Sequence, residues 1–237
     1  MFQRSFLVAI CFFIAAGAMA QSRFTFGVKG GVNLSESSGS LSSDNKVGFN
    51  AGLTIDYQLT PNWYVMSGLE LTTKGTKSNV GYYSYSSGYG YGNGYGYGSG
   101  YGELTPVSGY SFSYMESTKN LMYLQVPIHL GYKVDLGGST KLVFSAGPYV
   151  AYGIGGKTKG HSFYNEGNPA AYLQQYTIDQ KSFDDVNRRF DLGLGGTMGV
   201  EFGKFAVNIG YDWGLNNVMK NTDSKNKNGF LSVGYKF

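Results

Sequence analysis

From about residue 21 onward the chain is written in twos. Phe24, Phe26, Val28, Val32 and Leu34 alternate with Thr25, Gly27, Lys29, Gly31 and Asn33. Met122, Leu124, Val126, Ile128, Leu130, Tyr132 and Val134 alternate with Tyr123, Gln125, His129, Gly131 and Lys133. Comparable runs begin at Val47, Trp63, Leu142, Phe190, Phe205 and Leu231, making eight. Successive side chains of a strand point to opposite faces, so each run has one apolar face and one small or polar face. A period of two repeated this often constrains the chain to an all-β fold.

Composition decides which face is inside. Only 14% of residues are charged, against about 25% in an ordinary soluble domain. A soluble sandwich turns its polar face to water and fills it with Lys, Glu and Thr. Here that face is mostly Gly, with isolated Lys29, Asp56, Glu70, His129, Lys133, Asp191, Glu201, Asp212 and Lys236. Small residues with charges of both signs suit a narrow interior, where buried charges must pair. The apolar face carries Tyr57, Trp63, Tyr132, Tyr152, Trp213 and Tyr235 near the ends of its runs, and Tyr and Trp favour the membrane interface. Apolar outside and polar inside is the arrangement of a transmembrane β-barrel.

The connections agree. Gaps at 35–46, 75–119, 154–187 and 216–228 are long, and gaps at 58–62, 135–139 and 203–204 are short, in strict alternation. Short periplasmic turns and long extracellular loops are expected of outer-membrane barrels. Closure also removes unpaired edges, which hydrocarbon penalises by several kcal/mol per group. The expected fold is an eight-stranded antiparallel transmembrane up-and-down β-barrel with long extracellular loops. The terminal Tyr235-Lys236-Phe237 supplies the final aromatic pattern read by barrel-insertion machinery.

Residues 1–20 read as a signal peptide. Arg4 precedes the apolar run Phe6–Ala16, and Ala18-Met19-Ala20 supplies a small-x-small cleavage site. Residues 21–237 are then the barrel domain. Cys11, the single cysteine, lies within the signal, which leaves no thiol for disulfides, catalysis or metal binding. The formal net charge of +4 falls by one with Arg4 and is too weak to suggest nucleic acid.

Four segments carry a family resemblance: Phe26–Leu34, Tyr123-Leu-Gln-Val-Pro-Ile128, Ala146-Gly-Pro-Tyr-Val150 and Arg189-Phe-Asp-Leu-Gly-Leu194. In this order they resemble the PorT-type outer-membrane β-barrel family, common in Bacteroidetes, across nearly the whole mature chain. The resemblance implies an eight-stranded outer-membrane barrel, and PorT itself is implicated in type IX protein secretion.

Residues 81–102 depart from that pattern, with eight Tyr and nine Gly among 22 residues. They read as a low-complexity external loop. Its Tyr82, Tyr83, Tyr85, Tyr89, Tyr91, Tyr95, Tyr97 and Tyr101 offer a stacking surface for sugars, proteins or a neighbouring cell. A third reading has parts of the tract lengthening the barrel strands.

Signs of chemistry are sparse. His161, Ser162 and Glu166 are the residue types of a lipid A-modifying barrel enzyme, although catalysis needs a geometry that spacing cannot supply. His129 reads as a filler of the interior. The sequence shows no phosphate loop and no metal-ligand cluster, so no cofactor is expected. The expectation is a non-enzymatic barrel with a filled interior, serving envelope structure, surface interaction or a secretion complex. The alternatives are a small pore and a membrane enzyme. Expected partners are outer-membrane lipid and lipopolysaccharide, envelope or secretion-complex proteins, and the barrel-assembly machinery.

Overall fold

Ten antiparallel strands follow one another in the computed structural model, which describes residues 23–38, 44–91, 104–165, 174–183, 187–220 and 223–237. The expected signal peptide lies outside these residues. The strands are β1 (Phe24–Ser37), β2 (Lys46–Gln58), β3 (Trp63–Tyr91), β4 (Leu104–Gly137), β5 (Thr140–Gly155), β6 (Lys157–Asn165), β7 (Gln174–Lys181), β8 (Phe190–Phe202), β9 (Phe205–Gly214) and β10 (Asn226–Lys236).

Eight of them close a ring. β1 pairs with β2, β2 with β3, β3 with β4, β4 with β5, β5 with β8, β8 with β9, β9 with β10, and β10 returns to β1. These eight correspond to the eight alternating runs of the sequence. The first and last strands meet at closure, where Phe237 N–H donates to Phe26 O at 2.8 Å.

Outside the ring, β4 exchanges partners along its length. Met122–Gly137 pairs with β5, whereas Phe112–Lys119 pairs with β6, which pairs in turn with β7. The distal halves of β3 and β4 therefore join the β6–β7 hairpin in a four-stranded extension at the long-loop end.

This corrects two gap assignments. Most of the expected gap at 75–119 is strand, and the gap at 154–187 contains a hairpin. The tract at 81–102 is not wholly a loop, because Gly81–Tyr91 pairs with Leu104–Tyr114 and places Tyr82, Tyr83, Tyr85, Tyr89 and Tyr91 in β3. Tyr95, Tyr97 and Tyr101 lie outside the described residues. The physical reason is that alternating Tyr and Gly is itself a period of two, and Tyr favours strands.

The faces are inverted relative to a soluble barrel. Val47 is 68% exposed and Ile209 52%, whereas Asp191 is fully buried. An apolar surface this continuous is far larger than a soluble monomer carries. Aromatic contacts belt the short-turn end: Trp63 with Tyr132, Phe205 with Tyr235, and Tyr235 with Phe237, at centroid distances of 4.9, 5.3 and 5.6 Å. On β9 the apolar face runs from Phe205 to Trp213, close to the 9–11 residues that a tilted strand needs to cross a bilayer. The tight β8–β9 turn is made at Gly203, whose φ of +59° suits a residue without a Cβ.

Candidate functional site

All nine charged or histidine residues expected inside the ring face its interior, on the strand positions opposite the apolar ones. They fall into separate groups along the axis.

At the short-turn end two lysines meet two carboxylates. Lys133 Nζ lies 3.1 Å from Glu201 Oε2 and 3.9 Å from Asp56 Oδ2. Lys236 Nζ lies 2.5 Å from Asp56 Oδ2 and also bonds Glu201. Tyr64 forms the floor, with its ring centroid 4.6 Å from Lys133 Nζ and 5.9 Å from Lys236 Nζ. Tyr64 fits because Gly131 faces it, and a Cβ there would enter the phenol ring. A cavity of about 50 Å³ opens here beside Lys29, Asp56, Glu201 and Lys236, room for one or two waters.

In the middle, Lys29 pairs with Glu70 and stands over the Phe230 ring at 5.6 Å. Asp212 accepts a 3.0 Å hydrogen bond from Gln125 Nε2. His129 Nδ1 lies 3.3 Å from Ser145 Oγ, which is 2.7 Å from Thr197 Oγ1. These contacts suit His129 as a filler.

At the long-loop end Lys74 Nζ donates to Asp191 Oδ2 at 3.0 Å, and both side chains are fully buried. Asn226 Nδ2 donates to the same oxygen at 2.9 Å. The Tyr149 ring lies 4.4 Å from Lys74 Nζ. Beside this pair Leu121, Tyr123, Tyr149, Ala151 and Phe183 form an apolar cluster. Phe183 comes from the segment between β7 and β8 and rests on Gly153, with its ring 5.4 Å from Tyr123 in an edge-on contact.

The sequence reading names Tyr123 on the inner face without giving it weight, and it does not single out Lys74 or Tyr64. The signal is available, since Lys74 continues the inward series Glu70, Thr72 up to the start of the expected gap at 75. The glycine-rich face is half of a complementary surface, whose other half is Tyr64, Tyr149, Phe183 and Phe230, seated on Gly131, Gly193, Gly153 and Gly210.

Of the residues considered for lipid A chemistry, two are described. His161 and Ser162 are successive residues of β6 and so face opposite ways; His161 Nδ1 instead meets Gln175 Nε2 at 3.2 Å. Glu166 lies outside the described residues. Outside the apolar band, burial lowers the pKa of Lys119 below the usual lysine range, and its Nζ donates to Asn187 Oδ1 at 3.2 Å. Among the described residues no three His, Cys, Asp or Glu side chains gather as a metal site.

Comparison with known proteins places this geometry among membrane barrels. The family model described as "Outer membrane protein beta-barrel domain" matches residues 19–220. Among solved structures, the chain is similar to neisserial surface protein A, NspA, at 12% identity and a TM-score of 0.38, over 90% of this chain and 97% of that one. It is similar to Ail, the attachment invasion locus protein of Yersinia pestis, at 12% identity and a TM-score of 0.34, over 92% and 100% of the two chains. The N-terminal β-barrel domain of Pseudomonas aeruginosa OprF matches at 14% identity and a TM-score of 0.28, over 89% and 97%. No curated protein sequence matches the chain.

Proposed function

The chain belongs to the outer membrane protein β-barrel domain family, and from that premise we propose that it is a non-enzymatic, non-conducting eight-stranded transmembrane barrel that carries a surface-interaction module on its long-loop end. The protein resides in the outer membrane. The start of β1 at Phe24 and the end of β10 at Lys236 lie at the short-turn end, which supports a periplasmic position for that end and an extracellular one for the extension.

One observation carries the non-conducting reading. The Lys74–Asp191 pair is fully buried, and Lys74 packs against the Tyr123 and Tyr149 rings, which cluster with Phe183. An eight-stranded ring is just wide enough for its side chains to fill, and here aromatic rings and paired charges occupy the space. Planar-bilayer recording of the refolded mature protein tests this. The expected trace is flat, and steady single-channel steps would replace the filled barrel with a pore.

The opposed faces of His161 and Ser162 support a role other than hydrolysis. The four-stranded extension, standing at the long-loop end beyond the ring, is the part suited to meet partners. The resemblance to PorT-type barrels makes a protein-secretion assembly the partner of choice. Cross-linking in native membranes checks this, and capture of secretion-machinery components is the expected outcome.

A further inference from the structure

The long-loop end holds a cavity of about 900 Å³, at the junction where β4 exchanges β5 for β6 and beside Phe183. Its floor includes Met122 and Ile154, the topmost members of the apolar faces of β4 and β5. Its walls carry Lys46, Lys157, Lys159, Lys181 and Arg189, and no carboxylate lines it.

The cations are held together by the fold. Lys157 and Lys181 are direct cross-strand partners on β6 and β7, and like charges so placed repel. Lys159 is the partner of Thr118 on β4, which brings it to the same wall. Arg189 is fixed by a 2.9 Å hydrogen bond from Nη1 to Gly153 O and by its place over the Phe183 ring at 5.2 Å. Lys46 Nζ meets only neutral acceptors, Asn120 Oδ1 at 3.0 Å and Val47 O at 3.3 Å. Lys157 alone has a carboxylate within 4 Å among the described residues, Asp179 at 3.8 Å, and that pair is more than half exposed. Five positive groups around one cavity, with one loose counter-charge, are arranged for an anion. The apolar floor, continuous with the lipid-facing surface, favours an anion that carries hydrocarbon.

We propose that this cavity binds the phosphoryl group of an outer-leaflet glycolipid, with the acyl chains lying along Ile154 and the apolar face beneath it. The leaflet rests on the orientation proposed above; the phosphate chemistry does not. Native mass spectrometry of the detergent-solubilised mature protein tests the site with bisphosphorylated lipid A, dephosphorylated lipid A and inorganic phosphate as probes. Bisphosphorylated lipid A should bind, and the dephosphorylated form should not. Lys159→Gln/Lys181→Gln should weaken binding at least about tenfold, since it removes two of the five positive groups around the cavity. Both positions are exposed, so heat-modifiable migration should stay unchanged in this variant. Lys204→Gln, at the short-turn end, should bind as the parent does. Equal binding of dephosphorylated lipid A, undiminished binding by the double variant, or full displacement by millimolar inorganic phosphate would each overturn the proposal. Protease accessibility of the extension on whole cells reports the orientation separately, so the two ideas fail independently.

Discussion

The two ends of the barrel interior solve the same problem differently. At the short-turn end Lys133 and Lys236 share Asp56 and Glu201, and Lys236 keeps 20% of its side chain exposed. Each charge there touches two of opposite sign, and Lys236 is open to solvent. At the long-loop end Lys74 has one carboxylate, Asp191, and both are fully buried. The first arrangement tolerates the loss of a member because the survivors can share and hydrate. The second does not, because a buried charge without its partner costs several kcal/mol. Redundancy at one end and dryness at the other suggest that the long-loop end is the seal.

The largest predicted effect breaks the dry pair. Asp191→Asn leaves the Lys74 ammonium unpaired beneath Tyr149 and should destabilise the barrel by about 3–5 kcal/mol. Urea unfolding in micelles, followed by heat-modifiable migration, measures it. Replacing both partners, as Lys74→Met/Asp191→Leu, removes the charge problem and should restore most of the loss. A double variant as unstable as Asp191→Asn would mean that the pair is held for shape, not charge.

A smaller effect is expected at the opposite end. Gly131→Val places a side chain where the Tyr64 ring now sits, moving the floor beneath Lys133 and Lys236. Overpacking of this kind costs about 1–3 kcal/mol. Smaller again is Asp56→Asn. Lys133 and Lys236 keep Glu201, and water reaches Lys236, so about 1–2 kcal/mol is expected from lost charged hydrogen bonds. The same unfolding assay ranks all three variants. A cost for Asp56→Asn equal to that of Asp191→Asn would erase the distinction between the two ends.

How far the sequence alone reaches follows the same division. The short-turn end was legible because Asp56, Lys133, Glu201 and Lys236 sit within long, regular alternations where parity assigns a face directly. Lys74 escapes because alternation weakens after Thr72, in Thr-Lys-Gly-Thr-Lys-Ser, so parity no longer assigns it a face. Phe183 was beyond reach for another reason. It belongs to no alternating run, and its place over Gly153 depends on how the segment between β7 and β8 folds back. The partner exchange of β4 was equally hidden, since period two says that a strand exists but not which neighbour it takes.

The smallest predicted effect concerns the feature most conspicuous in the sequence. The seal is built from Phe183, Tyr123 and Tyr149, none of which lies in the Tyr/Gly tract. Gly81 and Tyr114 are register partners across β3 and β4, so residues 82–113 can be replaced by an Asn-Gly turn, which suits a two-residue hairpin. The ring, both charge groups and the seal should survive, with stability within about 0.5 kcal/mol of the parent, as for changes remote from buried features. Bilayer recordings should stay flat, and surface adhesion should fall. Conductance in the shortened protein would make the tract part of the seal and would shift the dry end of the barrel outward into the extension. Unchanged adhesion with an intact barrel would instead remove the tract from the interaction surface and leave that role to the β6–β7 hairpin.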